Sequence, residues 1–345
     1  MKSSLVVRNP VLSFSIDRRL PAIAAILIAL SLVAILLNVS QGEYPIAIAD
    51  ILKTLLGLDT GNPHHPFVIQ TMRLPRTLVA FMVGVALAIS GTIFQGLTRN
   101  PLADPSMIGI NAGASLAAVS TIVLFPAAPL YILPIASFLG ALLMAVLIYR
   151  LAWNDGSSPI LLILLGIGLS AIATALTNLL IIFGAIANVS QAIVWLAGSV
   201  YGRTWLQFWA FLPWCLCGIP LALGLSRHLN VLHLGDDVAK GLGTRLEWQR
   251  GLLVIVAVAL GGSAVAIAGT IGFVGLIAPH IGRKLVGGNH QNLLPIAALI
   301  GGLLVTIADW LGRTLFAPTE LPCGTIVAAI GAPFFLSLLI HHRKR

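Results

Sequence analysis

From Thr77 to Thr98 the chain runs twenty-two residues without a charge, and basic residues stand only at its two ends. Arg73-Leu74-Pro75-Arg76 precede the run and Arg99-Asn100-Pro101 follow it. A helix in water carries its charges along one face. An apolar stretch that crosses a bilayer needs about 20 residues and carries its charges at the ends. The run is therefore read as a membrane-spanning helix, and the fold must be built around it.

The rest of the chain agrees. It is 345 residues long, 58% hydrophobic and 9% charged, where a soluble globular chain has about 25% charged residues. Too little polar surface exists to face water, so the chain is read as an all-α polytopic integral membrane protein, one domain over 1–345. Ten spans are predicted, at about 20–40, 77–97, 106–125, 130–149, 159–183, 205–225, 251–269, 273–286, 293–312 and 322–340. The uncharged stretch 251–282 is too long for one span, and Gly269, Gly272 and Gly275 loosen the junction between a full helix and a shorter one.

A formal net charge of +9 would suggest nucleic acid for a soluble protein. Here its distribution gives orientation instead. With the N-terminus inside and ten alternating spans, fifteen of the 20 Lys and Arg fall on the cytoplasmic side, leaving Lys53, Arg73, Arg76, Arg203 and Arg313 outside. Both termini are then cytoplasmic, following the positive-inside trend, and no nucleic-acid partner is expected. Arg18-Arg19 precede an apolar run that ends Asn38-Val39-Ser40-Gln41 without a small-residue cleavage pattern, so the first span is read as uncleaved. Cys215, Cys217 and Cys323 give neither a disulfide framework nor a metal site and are read as packing residues.

Three connections are long enough to matter. An outer loop, 41–76, is expected to hold a short helix near 45–57. A second outer segment, 184–204, has an apolar centre suited to the membrane surface. The inner loop 227–250 is the most polar part of the chain. Within it, Gly235-Asp236-Asp237-Val238-Ala239-Lys240-Gly241-Leu242-Gly243 reads as a two-turn helix, with carboxylates in its first turn and a glycine stop. Val238 and Leu242 lie four apart on one stripe. Such a helix either enters a groove on a cytoplasmic partner or lies on its own bundle.

Other chemistry is sparse. Pro279 and His280 interrupt an apolar helix, where proline frees a backbone carbonyl, and the lone histidine is read as structural. Asp309 is the one carboxylate clearly inside a predicted span, and an ion pair with Arg313, four residues on, is expected to compensate it. The sequence contains no HExxH and no GxxxxGK[ST], so neither zinc hydrolysis nor P-loop ATP hydrolysis is expected of this chain. Gly261-Gly262-Ser263-Ala264 with His280 is a weak match to an intramembrane serine protease. His64-His65 and His341-His342 read as ordinary loop and tail residues.

Several motifs converge on one pattern. They are Arg73-Leu74-Pro75-Arg76, the series from Gly84 through Gly91, Gln95, Asn100, Pro101 and Gly109 to Gly113-Ala114, then Gly275 to Pro279-His280 with Arg283, Ala308-Asp309 with Arg313, and Leu321-Pro322 with Gly324. Over about residues 15–340 the chain resembles the FecCD-type permeases of binding-protein-dependent ABC importers, which carry iron–siderophores, cobalamin or heme. The segment from Trp195 to Trp205 looks most like the ferric-siderophore branch, the dicitrate and catecholate permeases.

The resemblance implies a ten-helix permease of the type II importer fold that pairs with a second, identical or similar permease in the bacterial inner membrane. Two cytoplasmic ATP-binding subunits would dock beneath it, and a periplasmic or lipid-anchored protein would deliver the substrate. Residues 235–243 become the helix that couples to the ATPase. Arg73, Arg76 and Arg313 become outer cations that meet acidic residues of the binding protein. Gly84, Gly91, Gln95, Asn100, Pro101, Gly109, Gly113, Pro279, His280 and Asp309 become motif or pathway residues. No cofactor is expected on this chain, ATP and Mg2+ belonging to the ATPase. Cobalamin or heme import, and an ATPase-independent secondary transporter, remain the alternatives.

Overall fold

The computed structural model describes residues 4–8, 13–17, 19–42, 44–129, 131–152 and 159–343. A two-stranded antiparallel hairpin, β1 (Ser4–Arg8) and β2 (Ser13–Asp17), opens the chain with Ser4 opposite Asp17. Sequence reading missed it, because the span that follows dominates the hydropathy of this region. Helices then follow in order: α1 (Leu20–Ser40), α2 (Ile48–Leu55), α3 (Leu74–Thr98), α4 (Ile110–Leu124), α5 (Ile132–Leu151), α6 (Pro159–Phe183) and α7 (Ile186–Leu196). The second half comprises α8 (Trp205–Gly224), α9 (Ser226–His233), α10 (Asp236–Gly241), α11 (Leu246–Ala268), α12 (Val274–Val286), α13 (His290–Thr314) and α14 (Cys323–Arg343).

Each of the ten predicted spans finds a helix, and among the described residues seven helices are long and apolar enough to cross a bilayer. They divide by burial. In α3, with the π-helical turn Phe67–Arg73 that leads into it, 83% of the most apolar window is enclosed by the chain itself, against 17% in α1. Helix α3 packs on α13, α11, α12 and α8 and forms the centre of the bundle. Helices α1, α5 and α8 turn bulky apolar residues outward, among them Ile26, Leu32, Leu143, Trp209 and Leu216. An outer surface of this kind is stable only against lipid.

Glycine sets the central crossings. A Cβ on Gly84 would overlap the backbone of Gly301 in α13, and one on Gly91 would overlap Gly275 in α12. Gly113 and Gly140 make the same close approach between α4 and α5. Small residues let transmembrane backbones touch, which replaces the hydrophobic drive that lipid does not supply.

Helix α4 has only 15 residues, about 22 Å at 1.5 Å per residue and too short for a bilayer. The reason is the connection before it. Arg99 ends α3 in the left-handed conformation (φ 52°), and residues 99–109 turn back into the bundle. Pro105 Cδ lies 2.7 Å from where a Cβ on Gly275 would sit. At Gly109 (φ 71°) a Cβ would meet Met144 Cγ at 2.7 Å and Ser170 Oγ at 3.3 Å. Ser170 is eleven residues into α6, about 16 Å along its axis. The connection between the second and third predicted spans is thus a re-entrant segment, and α4 starts within the membrane.

Candidate functional site

At the end of the bundle predicted to face outward, here the outer end, α1, α3 and α13 bring together a buried polar cluster. Arg76 Nη2 donates to Asp309 Oδ1 at 2.8 Å and Nε donates to the same oxygen at 3.1 Å. Its Nη1 reaches Glu320 Oε2 at 2.8 Å, and the guanidinium lies 5.4 Å from the centre of the Tyr201 ring. Asn38 satisfies both ends of its amide: Nδ2 donates to Thr306 O (3.0 Å) and Asp309 Oδ2 (3.2 Å), while Oδ1 accepts from Thr77 Oγ1 and Arg313 Nη2. Arg313 also donates to the Asn38 carbonyl. Arg73 donates to the carbonyls of Val39 (2.8 Å), Ser40 (3.2 Å) and Tyr44 (2.6 Å), clamping the end of α1.

This geometry corrects two expectations. Asp309 pairs with Arg76, 233 residues away, and not with Arg313 four residues on. Helical spacing makes Asp309 and Arg313 neighbours, but the Arg313 side chain turns to the frayed carbonyl end of α1. Second, Arg73, Arg76 and Arg313 are not surface cations. They are 7%, 8% and 6% exposed, and each has acceptors within the chain. They line a cavity of about 450 Å³ together with Tyr201, Arg203 and Glu320. Four guanidiniums meet two carboxylates here, Asp309 and Glu320, so the cluster keeps surplus positive charge that an outside anion would complement.

In the last turn of α3, Gln95 is 2% exposed. Its Nε2 donates to Gly275 O at 3.0 Å, and its Oε1 accepts from Arg283 Nη2. Pro279 is buried within α12, and His280 meets Phe334 of α14 edge to face at 5.6 Å. Gly84, Gly91 and Gln95 are therefore enclosed by helices of their own chain. Their surroundings make them packing residues at crossings, not an exposed pathway wall. Asn100 turns its Oδ1 to the Leu102 N–H (2.9 Å) and, with Pro101, folds the re-entrant segment. Sequence reading missed Asp104, which this segment carries between α3 and α12, its Oδ1 accepting from Ser106 N at 3.0 Å. Pro101 and Pro105 on either side mark it as loop, and nothing local shows that the loop folds inward.

At the opposite end, the predicted inner one, α10 is held by its own first residue. The Asp236 carboxylate bridges Arg99, at the end of α3, and Arg250 in α11, the latter at 2.9 Å. Gly235 (φ 117°) and Gly243 (φ 74°) bound the helix in conformations that favour glycine. The Thr244 N–H returns to Ala239 O, as in a glycine-terminated helix. Ala239 faces the bundle and is fully buried, whereas Val238 and Leu242 are 48% and 62% exposed. Of the two readings of this helix, its apolar stripe faces away from the bundle. Asp237 shares its first turn. The predicted inner loop also proves largely helical, since α9 and the start of α11 take up most of 227–250.

The predicted outer helix near 45–57 is α2, and the outer segment 184–204 contains α7. Among the described residues, no group of three or more His, Cys, Asp or Glu side chains converges as a metal site would require. His341-His342 lie at the end of α14, where the structure describes no side chains.

Fold and site together define a polytopic membrane protein with charged clusters at both ends of a glycine-packed bundle. The family is explicit: the profile of the FecCD transport family matches residues 29–341, and the chain belongs to that family. It is 41% identical to the Fe(3+)-citrate import system permease protein YfmE of Bacillus subtilis over 92% of this chain and 95% of that one. Identity to the achromobactin transport system permease protein CbrC of Dickeya dadantii is also 41%, over 96% and 95% of the two chains. The fold matches a solved metal-chelate type ABC transporter in an inward-facing conformation, with a TM-score of 0.84 and 33% identity over 93% of this chain and 99% of the other. As a member of this family the chain is a multi-pass protein of the bacterial membrane and works within an ABC importer.

Proposed function

We propose that the chain is the single-domain permease subunit of an ABC importer that moves a ferric siderophore complex inward across the inner membrane. Two separate ATPase subunits power it, a second permease completes the pathway, and a substrate-binding protein delivers the ligand. The observation that carries this reading is α10. It is an exposed cytoplasmic helix with an apolar stripe at Val238 and Leu242, tied through Asp236 to α3 and α11. A partner that moves α10 moves two central membrane helices with it. Closure of the ATPase dimer on ATP and Mg2+ then drives the alternation between outward- and inward-facing states. The chain itself performs no covalent chemistry and binds no cofactor in this reading. Both termini lie in the cytoplasm, as the distribution of its 20 Lys and Arg supports.

At the outer end, the surplus charge around Arg73, Arg76 and Arg313 complements acidic residues of the binding protein through the cavity they line. Arg76 is already paired, so Arg73 and Arg313 carry most of that attraction. The names of the relatives, which include ferric-citrate and achromobactin permeases, support the substrate class. The test is rescue of iron uptake in a transport-deficient strain that receives the complete importer. Citrate-, catecholate- and hydroxamate-type ferric siderophores and cobalamin are compared. Rescue by a ferric siderophore is expected; rescue by cobalamin alone would overturn the substrate class.

A further inference from the structure

The segment from Trp195 to Trp205 is used by none of the steps above, yet it is rigidly held. Ser199 N donates to Ala268 O at 2.7 Å, and Gly324 N donates to Gly198 O at 3.0 Å. Thr204 closes it with a capping box at the start of α8. Between this segment, α5, α7 and α11 lies a cavity of about 280 Å³ that adjoins the larger outer cavity through Tyr201, Gly202 and Arg203.

Two buried donors on the cavity's lining residues have no acceptor among the described residues. Trp195 is 6% exposed, and its Nε1–H has no acceptor among the described residues. The Arg203 Nε–H is likewise buried without an acceptor, and no carboxylate pairs with this guanidinium among the described residues. Burial without a counter-anion pushes the Arg203 pKa below its ordinary value. None of the lining residues is Asp or Glu. The contrast with Arg76, saturated by two carboxylates on the wall of the adjoining cavity, is direct. Buried donors without partners are rare in folded proteins, and each is destabilising. Two that line one cavity point to a ligand that brings the acceptors.

We propose that the unpartnered donors of Trp195 and Arg203 form a subsite that holds an anionic oxygen arm of the ferric chelate as it enters the permease. The inference rests on the importer reading and deepens it by naming the chemical class of the substrate. The cavity is smaller than the ~300–1,000 Å³ that encloses a drug-sized ligand. It therefore takes one carboxylate or catecholate arm and leaves the iron in the larger cavity alongside. A neutral chelate gains nothing there.

The test uses the complete transporter in lipid nanodiscs, with citrate and ferric citrate as probes in titration calorimetry. Wild-type protein binds both saturably. Arg203→Gln and Trp195→Phe each weaken binding about tenfold or more, the loss of one charged or buried hydrogen bond. Arg203→Lys recovers part of the affinity. ATPase retention and size-exclusion profiles show whether each variant is folded. No saturable citrate binding to the wild type, as expected if water alone fills the cavity, overturns the proposal. So do unchanged affinities in folded variants, or weakened docking of the binding protein with citrate binding intact. If citrate binds at Arg203 but the transporter imports no ferric chelate, the subsite stands and the importer reading fails.

Discussion

The two ends of this bundle solve the same electrostatic problem in opposite ways. At the outer end Arg76 and Asp309 are 10% and 3% exposed at their side chains, and every lone pair of the neighbouring Asn38 is used. At the inner end Arg99 and Asp236 are 35% and 33% exposed, the buried Arg250 that Asp236 also meets has Glu247 at 3.6 Å as a second carboxylate, and the bridge touches a helix of six residues. A buried pair cannot lose one member cheaply, because the other is left charged in a medium that does not solvate it. A half-exposed pair contributes at most about 1 kcal/mol to stability, since water replaces either partner. The outer cluster therefore builds a fixed frame, whereas the inner bridge holds a part that can move.

The largest expected effect strikes the frame. Asp309→Ala leaves Arg76 with Glu320 alone and should cost about 3–5 kcal/mol, read as a fall in thermal unfolding temperature of the purified complex. Replacing both partners, Arg76→Met with Asp309→Leu, should recover most of that loss, because burying two apolar side chains needs no compensation. Asn38→Ala should cost less, about 1–3 kcal/mol, by removing the amide that donates to Thr306 O and Asp309 and accepts from Arg313. At the other end Asp236→Asn removes the exposed Arg99 bridge but leaves the buried Arg250 with Glu247 at 3.6 Å, so it should cost less than Asp309→Ala, about 1–2 kcal/mol. Its signature should be functional: more ATP hydrolysed per chelate imported, with the ATPase still bound. If Asp236→Asn destabilised the protein as much as Asp309→Ala does, the contrast between frame and moving part would be wrong.

Much of this could be read in the sequence for a simple reason. Apolar runs bounded by Arg, Gly and Pro mark helices whose ends are set by the bilayer, and each of the ten expected spans finds a helix. The apolar stripe of α10 was also visible, as its spacing depends on neighbours four residues apart. What stayed hidden depends on distance in the chain. Asp309 pairs across 233 residues, and its nearer candidate Arg313 was drawn to Asn38 by carbonyls that no local rule reveals. Burial of Arg73 and Arg76 was hidden likewise, since positive residues at a helix end usually reach water. The re-entrant segment reads as an ordinary turn, with Asn100, Pro101, Asp104, Pro105 and Gly109, and only its contacts with Gly275 and Ser170 show that it folds inward.

The central claim is that α10 carries the partner's motion into the membrane, and a paired substitution on its exposed stripe tests it most directly. Val238→Asp with Leu242→Asp removes the apolar surface while leaving Asp236 and both arginines in place. The complete importer is purified from cells in which iron uptake is measured in parallel. The account predicts that the ATPase no longer copurifies and that uptake of the ferric chelate is lost, with the permease still folded. Retention of the ATPase at its normal stoichiometry, together with unchanged iron uptake, would contradict it.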